Sequence, residues 1–510
     1  MQRLEKPPNN RPVCPLQYQT SKIFIHHYFT PRDTMSNETN ALAELKALVK
    51  LLQSNVDRIE AATKSASLEF PSLQTTFSSQ SEAARQLPDV AEASSQIVAA
   101  ASQLIATVRP PTMTVFSTGL SFHIPSALRV AVETHVAEVL REAGSGGAHV
   151  KEIAKPANVD PYKLARILRI LATHYIFVEV APDVFANNII SSCLDSGKSV
   201  AALIAHPEQR YDGTLGITAL LGHFGDDAFK ASAYLSDVLT DPATSHSYEA
   251  NKTAHSRAFN INLDMFSWFE TPGNEYRATR FGHAMNGSRA SMPANAIVEG
   301  FDWKGLKEGA VVVDVGGGVG SQSLVLSKHF SHLRFIVQDR ALVVLEGEKF
   351  WGINNPEYLS SGKVKLQPYN FLDEEQPVKN ADVFIIRAIL HDWADEYCIK
   401  ILRKLRKVAT PHTRLLVVDN IIAYACKEEA TKDIPGAAMP LPPAPLLANW
   451  GPASSTSYLV DIQMLSCHNG QERTATQLRD LLGKAGWKLV EVRRATSFGL
   501  ALHNAIAVPV

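Results

Sequence analysis

The chain has 510 residues, 45% hydrophobic and 20% charged, a composition that suits two or three globular domains. Its 50 basic and 51 acidic side chains leave a net charge of −1, so no global field draws it to nucleic acid or to an anionic membrane. Five cysteines show neither a C-x-x-C pair nor metal-ligand spacing, and no apolar run reaches the roughly 18 residues of a membrane span. These features predict reduced thiols, no metal site and a cytoplasmic protein.

Residues 1–38 contain Pro, Asn and Arg without a period and are expected to be a disordered extension. A helical domain is expected over 39–200. Leu42, Leu45, Val49, Leu52, Val56 and Ile59 alternate spacings of three and four, a heptad-like stripe on one helix. A Ser-rich connection over 65–90 leads to an Ala-rich helix over 90–108, stopped by Pro110 and Pro111. This pair reads either as a dimer contact or as an ordinary helix pair.

Residues 127–143 read as one helix. The segment VKEIAKPANVDPYKLARILRILATHYIFVEVAPDVFANN then predicts helix, turn, helix and a short hairpin, with Leu164, Ile167, Leu168 and Leu171 on one face. This winged-helix pattern raises a DNA-binding alternative, with Lys163, Arg166 and Arg169 as candidate contacts. The absence of a basic tail and of net positive charge argues against it.

Residues 201–300 are expected to be mostly helical and to line a substrate. Phe266, Trp268, Phe269, Tyr276 and Phe281 would give flat apolar walls for an aromatic ligand, or simply a helix core. From 301 to 510 the pattern alternates strand and helix, with strands near 311–315, 333–338, 363–367, 382–388 and 413–419. The closing segments LVEVRR and HNAIAVPV read as an antiparallel pair at the sheet edge. The expected architecture is α/β, a seven-stranded, doubly wound, Rossmann-like sheet. A Pro-, Ala- and Ser-rich insert over 427–457 is expected to be irregular and mobile, a passive insertion rather than a cover for the pocket.

Two motifs carry the chemistry. The first is VVVDVGGGVGSQSLVLS over 311–327, which reads as strand, tight turn and helix start. Asp314 ends the strand, where it could accept from a cationic or hydroxylated ligand. Gly316, Gly318 and Gly320 fall as G-x-G-x-G, and Ser321 takes the slot of the third dinucleotide glycine. The strand LRFIVQD ends at Asp339, about twenty residues beyond the loop, where a ribose-binding acid is placed in such folds. Dinucleotide and S-adenosylmethionine both fit. The second motif, ADVFIIRAILHDWADEYCIKILRKL, sets His391 just past the carboxyl end of a buried strand, where open α/β sheets form their ligand crevice. With an ordinary pKa near 6.5, a histidine there suits removal of a proton at neutral pH.

With DVGGGVG, the Asp339 strand end, RAILHDWADE, LLVVDNII and NGQERTATQLRDLLGKAGW in this order, the chain resembles the caffeic-acid-type, S-adenosylmethionine-dependent O-methyltransferases of plants and fungi. The resemblance spans about residues 40–510 and is densest from about 255 onward. It implies a class I methyltransferase domain, with the helical winged-helix region serving as lid and homodimerisation platform. It implies His391 as general base on a hydroxyl, oriented and stabilised by two acids at Asp419 and Glu472, with Asp392 beside the base; plant members carry Glu where Asp419 stands, one methylene longer. For the cofactor it implies Gly316 and Gly318 beside the methionine moiety, Asp339 on the ribose, Asn370 on the adenine amino group, Phe371 against the ring and Arg387 where many relatives have Lys. Phe281 and Met285 match positions lining the acceptor pocket, with Trp268 nearby. The resemblance implies a small-molecule acceptor, a phenol of secondary-metabolite type, and no divalent cation is expected. A non-catalytic or regulatory relative, a NAD-linked oxidoreductase and methylation at C or N stay open as alternatives.

Overall fold

The computed structural model describes residues 41–290, 296–494 and 502–510; the disorder expected of residues 1–38 concerns residues outside these. The carboxyl-terminal half is one seven-stranded sheet. Its strands are β1 (Val311–Val315), β2 (Arg334–Asp339), β3 (Val364–Pro368), β4 (Val383–Arg387), β5 (Arg414–Asp419), β6 (Trp487–Arg493) and β7 (His503–Pro509). Their order across the sheet is β6-β7-β5-β4-β1-β2-β3. β1 to β5 are mutually parallel, and β7 runs antiparallel between β5 and β6, as the closing pair predicts.

The central strands are apolar on both faces because helices cover both: Val312, Val313, Phe384, Ile385, Ile386, Leu415 and Leu416 are all fully buried. The helix Asp395–Val408 contributes Cys398, Ile401, Leu402 and Leu405 from one face. The strand order reverses between β1 and β4, and a crevice opens at the carboxyl ends of strands at such a switch. Both chemical motifs lie there.

The amino-terminal half is helical. Ala41–Ser65 packs on Pro88–Val108 through Leu48, Leu51 and Leu52 against Ala99 and Ala100, a face offset from the expected stripe, whose Leu42, Val49 and Val56 are exposed. The winged helix is present: Val150–Ala154, Pro161–Thr173, then Val178–Ala181 paired with Val184–Ala186, with Ala148–His149 as a third strand. Asp160 caps the second of these helices by accepting from Lys163 N–H at 2.8 Å, and Pro161 starts it. The single helix expected over 127–143 is instead two, His123–Glu133 and Val136–Ala143, broken at His135 with φ +56°. The break lets Ala127, Ala131 and Val132 enter the same core as Val136, Ala137 and Leu140.

The insert over 427–457 departs from expectation. It is irregular but anchored. Leu446 enters a core with Leu48, Ala99 and Ala100 of the amino-terminal helix pair, and Gln103 donates to the Pro445 carbonyl at 3.1 Å. Trp450 is 3% exposed and donates to the Pro440 carbonyl. At the other end, the Pro435 carbonyl accepts from Val492 N–H on the edge strand β6 at 2.9 Å. The segment therefore covers a sheet edge and ties the helix pair to the sheet. Trp450→Ala should lower unfolding stability by about 3 kcal/mol through cavity formation, read as a fall in the urea midpoint; an unchanged midpoint would show that the segment is held loosely.

Candidate active site

The glycine loop joins β1 to the helix Ser321–His329. Gly320 has φ +80°, and a Cβ there would lie 2.7 Å from Trp351 Nε1 and 2.9 Å from Val337, so only glycine fits. Trp351 pins the loop by donating to the Val319 carbonyl at 3.1 Å. Gly318 has φ +60° but no atom within 4 Å of a would-be Cβ; here the backbone faces open space. Gly318 N–H donates to Asp339 Oδ2 at 2.8 Å and Arg340 N–H to Asp339 Oδ1 at 2.8 Å. The acid that ends β2 is thus oriented by main chain and held beside the glycine loop. Burial pushes its pKa up, against those two bonds.

Asp314 sits deeper. It is 2% exposed and accepts from Ser323 Oγ at 2.7 Å. Burial raises its pKa to about 6, opposed by the Ser323 bond and by the charge of Arg387. Its placement makes it a brace from strand to helix across the loop. Asn370 is exposed, and its side chain closes a turn: Oδ1 accepts from Leu372 N–H at 3.0 Å and Nδ2 donates to Asp373 at 2.9 Å. Phe371 lies under the loop, 3.5 Å from a would-be Cβ on Gly316, with its ring edge-on to Trp393 at 6.1 Å.

His391 stands on the single turn Leu390–Asp392 after β4, immediately past Ala388, which has φ +51°. Its Nδ1 lies 2.8 Å from Glu472 Oε1, a residue 81 positions away. Its main-chain carbonyl accepts from Gln471 N–H at 2.9 Å, and a Cβ on Gly470 would strike that carbonyl, so the two segments can meet only at a glycine. Nε2 points to the other side, 3.6 Å from Asp392 Oδ1. Asp461 accepts from Glu472 N–H at 2.8 Å and steadies the acid.

Asp419, at the end of β5, makes no ion pair with the ring among the described contacts; its carboxylate is 7% exposed and Oδ1 has no hydrogen-bond partner. The shorter side chain leaves Glu472 as the partner of Nδ1, with Asp419 acting through its charge. Burial alone would push the imidazolium pKa down. The charges of Asp392 and Glu472, the Glu472 bond and the charge of Asp419 outweigh it and raise His391 to about 10. Burial also lifts Asp392 to about 7 and Asp419 to about 6, against the pull of His391.

Beside Asp392 lies an aromatic cluster. Phe266 is tilted against Trp393 at 6.3 Å, edge-on to Phe281 at 6.0 Å and stacked on His468 at 5.0 Å. Phe281 also meets Phe269 and His223, each at 5.3 Å. Trp268 meets His255 at 5.0 Å. Met285, one turn beyond Phe281 on the helix Glu275–Ala290, is 37% exposed. Phe281 and Trp268 therefore belong to one cluster, which Met285 does not join in the aromatic contacts. His468, His255, His223, Ser323 and Asp461 were not singled out from sequence. A signal existed only for His468, which immediately precedes the NGQERT element.

The family model for an O-methyltransferase domain matches residues 238–440, and one for an O-methyltransferase dimerisation domain matches 116–196. An O-methyltransferase of Armillaria gallica is 41% identical over 92% of this chain and 100% of its own length. The chain belongs to this O-methyltransferase family. A 4-O-methyltransferase of Phanerochaete chrysosporium is 38% identical over 91% of this chain and 99% of its own. The solved structure of OxaC in complex with sinefungin and meleagrin, 21% identical, shares the fold with a TM-score of 0.63 over 90% of this chain and 99% of that one.

The enzyme is an S-adenosylmethionine-dependent O-methyltransferase with a dimerisation domain. The dinucleotide and DNA-binding alternatives fall with that membership. One of the three candidate DNA contacts, Arg169, is in addition held by Glu179 at 2.9 Å and Asp183 at 2.7 Å.

A histidine acting as general base must be neutral. With the His391 proton held up to about 10, kcat/KM should climb as pH rises well above 6.5. Glu472→Gln removes the bonded anion, so the rising limb should move to lower pH while kcat falls. A pH-rate profile of both proteins checks this, and an unmoved limb would mean that Glu472 does not set the titration of His391.

Proposed function

We propose that the enzyme methylates the phenolic hydroxyl of a small aromatic acceptor of secondary-metabolite type, with His391 as general base. The carrying observation is the 2.8 Å bond between His391 Nδ1 and Glu472. It fixes the ring and its tautomer, so Nε2 is the nitrogen that receives the hydroxyl proton as the oxygen takes the methyl. Bound S-adenosylmethionine supplies a methyl already activated by its sulfonium charge. The chain's residues fit it: open backbone at Gly318 beside the methionine moiety, the partly buried Asp339 on the ribose, Phe371 against the adenine. Asn370 would reach the adenine amino group from the rim, Arg387 adds positive charge near the loop, and Asp314 braces it. Gly316, with φ +70°, turns the chain toward that space.

Phe281 and Trp268 are read as walls of the acceptor pocket, with Met285 toward its mouth. The names of two relatives, 4-O-methyltransferase 1 and 3-O-methyltransferase 2 of Phanerochaete chrysosporium, specify numbered oxygen positions and support a small-molecule hydroxyl as acceptor. The test is methyl transfer from labelled S-adenosylmethionine to a panel of phenols and the matching anilines, with product structures determined. Methylation confined to oxygen is expected; nitrogen or ring-carbon products would overturn the acceptor assignment.

The helix Pro111–Leu120 supports a homodimer. It buries none of its residues and leaves Met113, Val115 and Phe116 at least half exposed, an apolar surface that a second copy would cover. A cytoplasmic location is consistent with four free thiols among the described residues.

A further inference from the structure

We propose that His255 is a specificity-determining residue that hydrogen-bonds a second oxygen of the acceptor, a carbonyl or hydroxyl other than the one methylated. The inference rests on the reading of Trp268 and Phe281 as acceptor walls. His255 lies on the short helix Ala254–Phe259 and is fully buried. Neither of its ring nitrogens has a hydrogen-bond partner. Buried polar groups are nearly always paired, because an unpaired one forfeits its hydration without return. An imidazole kept in this state points to a partner that arrives with the ligand.

The surroundings say which ligand. The His255 ring is edge-on to Trp268 at 5.0 Å and 4.8 Å from Phe259, so the group beside it is flanked by flat apolar surface. Its helix packs on Ser455–His468, whose last residue stacks on Phe266 and brings Nε2 to 3.9 Å from Asp392, the neighbour of the base. The neighbouring carboxylate of Asp227 is already bonded to His223, Arg277 and Arg280 and leaves His255 without a bond. Burial holds the His255 pKa down to about 4, so the ring is neutral and offers one N–H donor and one lone pair. That pair suits a carbonyl or hydroxyl on an aromatic ring and rejects a charged group.

The experiment compares 4-hydroxyacetophenone with 4-ethylphenol, near-isosteres that differ by one carbonyl oxygen. Wild-type enzyme should prefer the ketone by about tenfold or more in kcat/KM, the scale of one well-placed hydrogen bond. His255→Phe should bring that ratio toward one, mainly through the KM of the ketone, with His255→Gln restoring part of it. His255→Phe should also unfold at a higher temperature, because it removes an unpaired polar group from an apolar site. Calorimetric binding of S-adenosylhomocysteine reports that the cofactor side is intact. Phe281→Ala separates the two readings. A raised KM for both phenols with an unmoved ratio in His255→Phe overturns the His255 proposal alone. No effect of Phe281→Ala overturns the wall assignment and this proposal with it. A wild type that shows no preference, or takes neither phenol, also overturns the proposal.

Discussion

His391→Ala should lower kcat by about 10²- to 10⁴-fold, the range over which a positioned general base contributes, while S-adenosylhomocysteine should bind as it does to the wild type. The separation follows from the layout of the crevice. His391 belongs to the turn after β4 and its bonds run to Glu472 and Gln471, whereas the glycine loop and Asp339 hang on β1 and β2. The substitution strips Glu472 of its partner in a site where that acid is 3% exposed, so His391→Gln, which keeps a donor, serves as the second variant. Calorimetry against S-adenosylhomocysteine, with NAD as comparator, and single-turnover kinetics decide the matter. Equal losses in binding and in rate would assign His391 a structural role instead of a chemical one. A rate loss with intact binding, and no binding of NAD, is the expected result.

The largest stability effect is expected far from the reacting atoms, at Arg280. Asp226 and Asp227 both face inward from a π-helical turn, Phe224–Ala228, a wide turn of a kind often kept at functional sites. Arg280 is 1% exposed and bonds Asp226 at 3.0 Å and Asp227 at 2.7 Å. Arg277, Lys230, Arg129 and His223 complete the shell at 3.0, 2.6, 3.1 and 3.2 Å. Removing one member of a buried ion pair costs about 3–5 kcal/mol, since the other charge stays behind without compensation. Arg280→Met should lose stability on that scale, and Arg280→Lys should recover only part, because a point charge cannot replace the guanidinium fork.

The same cluster sets a pH dependence. Burial pushes Asp227 up, but the bond with His223 and the charge of Arg280 override it and hold the carboxyl well below the ordinary range. A depressed folded-state pKa means stability that is present above the unfolded value near 3.9 and is lost as pH falls below it. Urea midpoints of wild type and Arg280→Met from pH 7 down to pH 3 test both statements. The difference between the two proteins should shrink at the acid end; a constant difference would place the effect of Arg280 in packing and not in charge.

Much of this was legible in the residues. β1 and β4 are near-continuous β-branched or aromatic runs, so their burial on both faces follows from composition. The glycines of the loop mark positive φ at Gly316, Gly318 and Gly320, which is a local property of the backbone. His391 could be placed at a strand's carboxyl end by counting along one element. The expectations that failed were those in which distant segments had to agree. Nothing in residues 127–143 announces a break at His135; it exists because two helical faces must enter one core. The Pro- and Ala-rich insert reads as slack chain, yet Leu446 and Trp450 find apolar partners or carbonyls that no local pattern reveals.

The site divides along the same line. By itself the sequence determined the sheet, the glycine loop, the acid that closes β2 and the histidine that follows β4, because each depends on side-chain period, on backbone freedom or on position at a strand end. Only the tertiary structure decided that Glu472 takes Nδ1 while Asp419 stays out of bonding reach, that Asp314 braces the loop, and that imidazoles stand among the rings of Phe266 and Trp268. The reason is reach: a side chain spans only a few ångströms, so its partner is chosen by how the core packs segments that lie 81 residues apart in the chain.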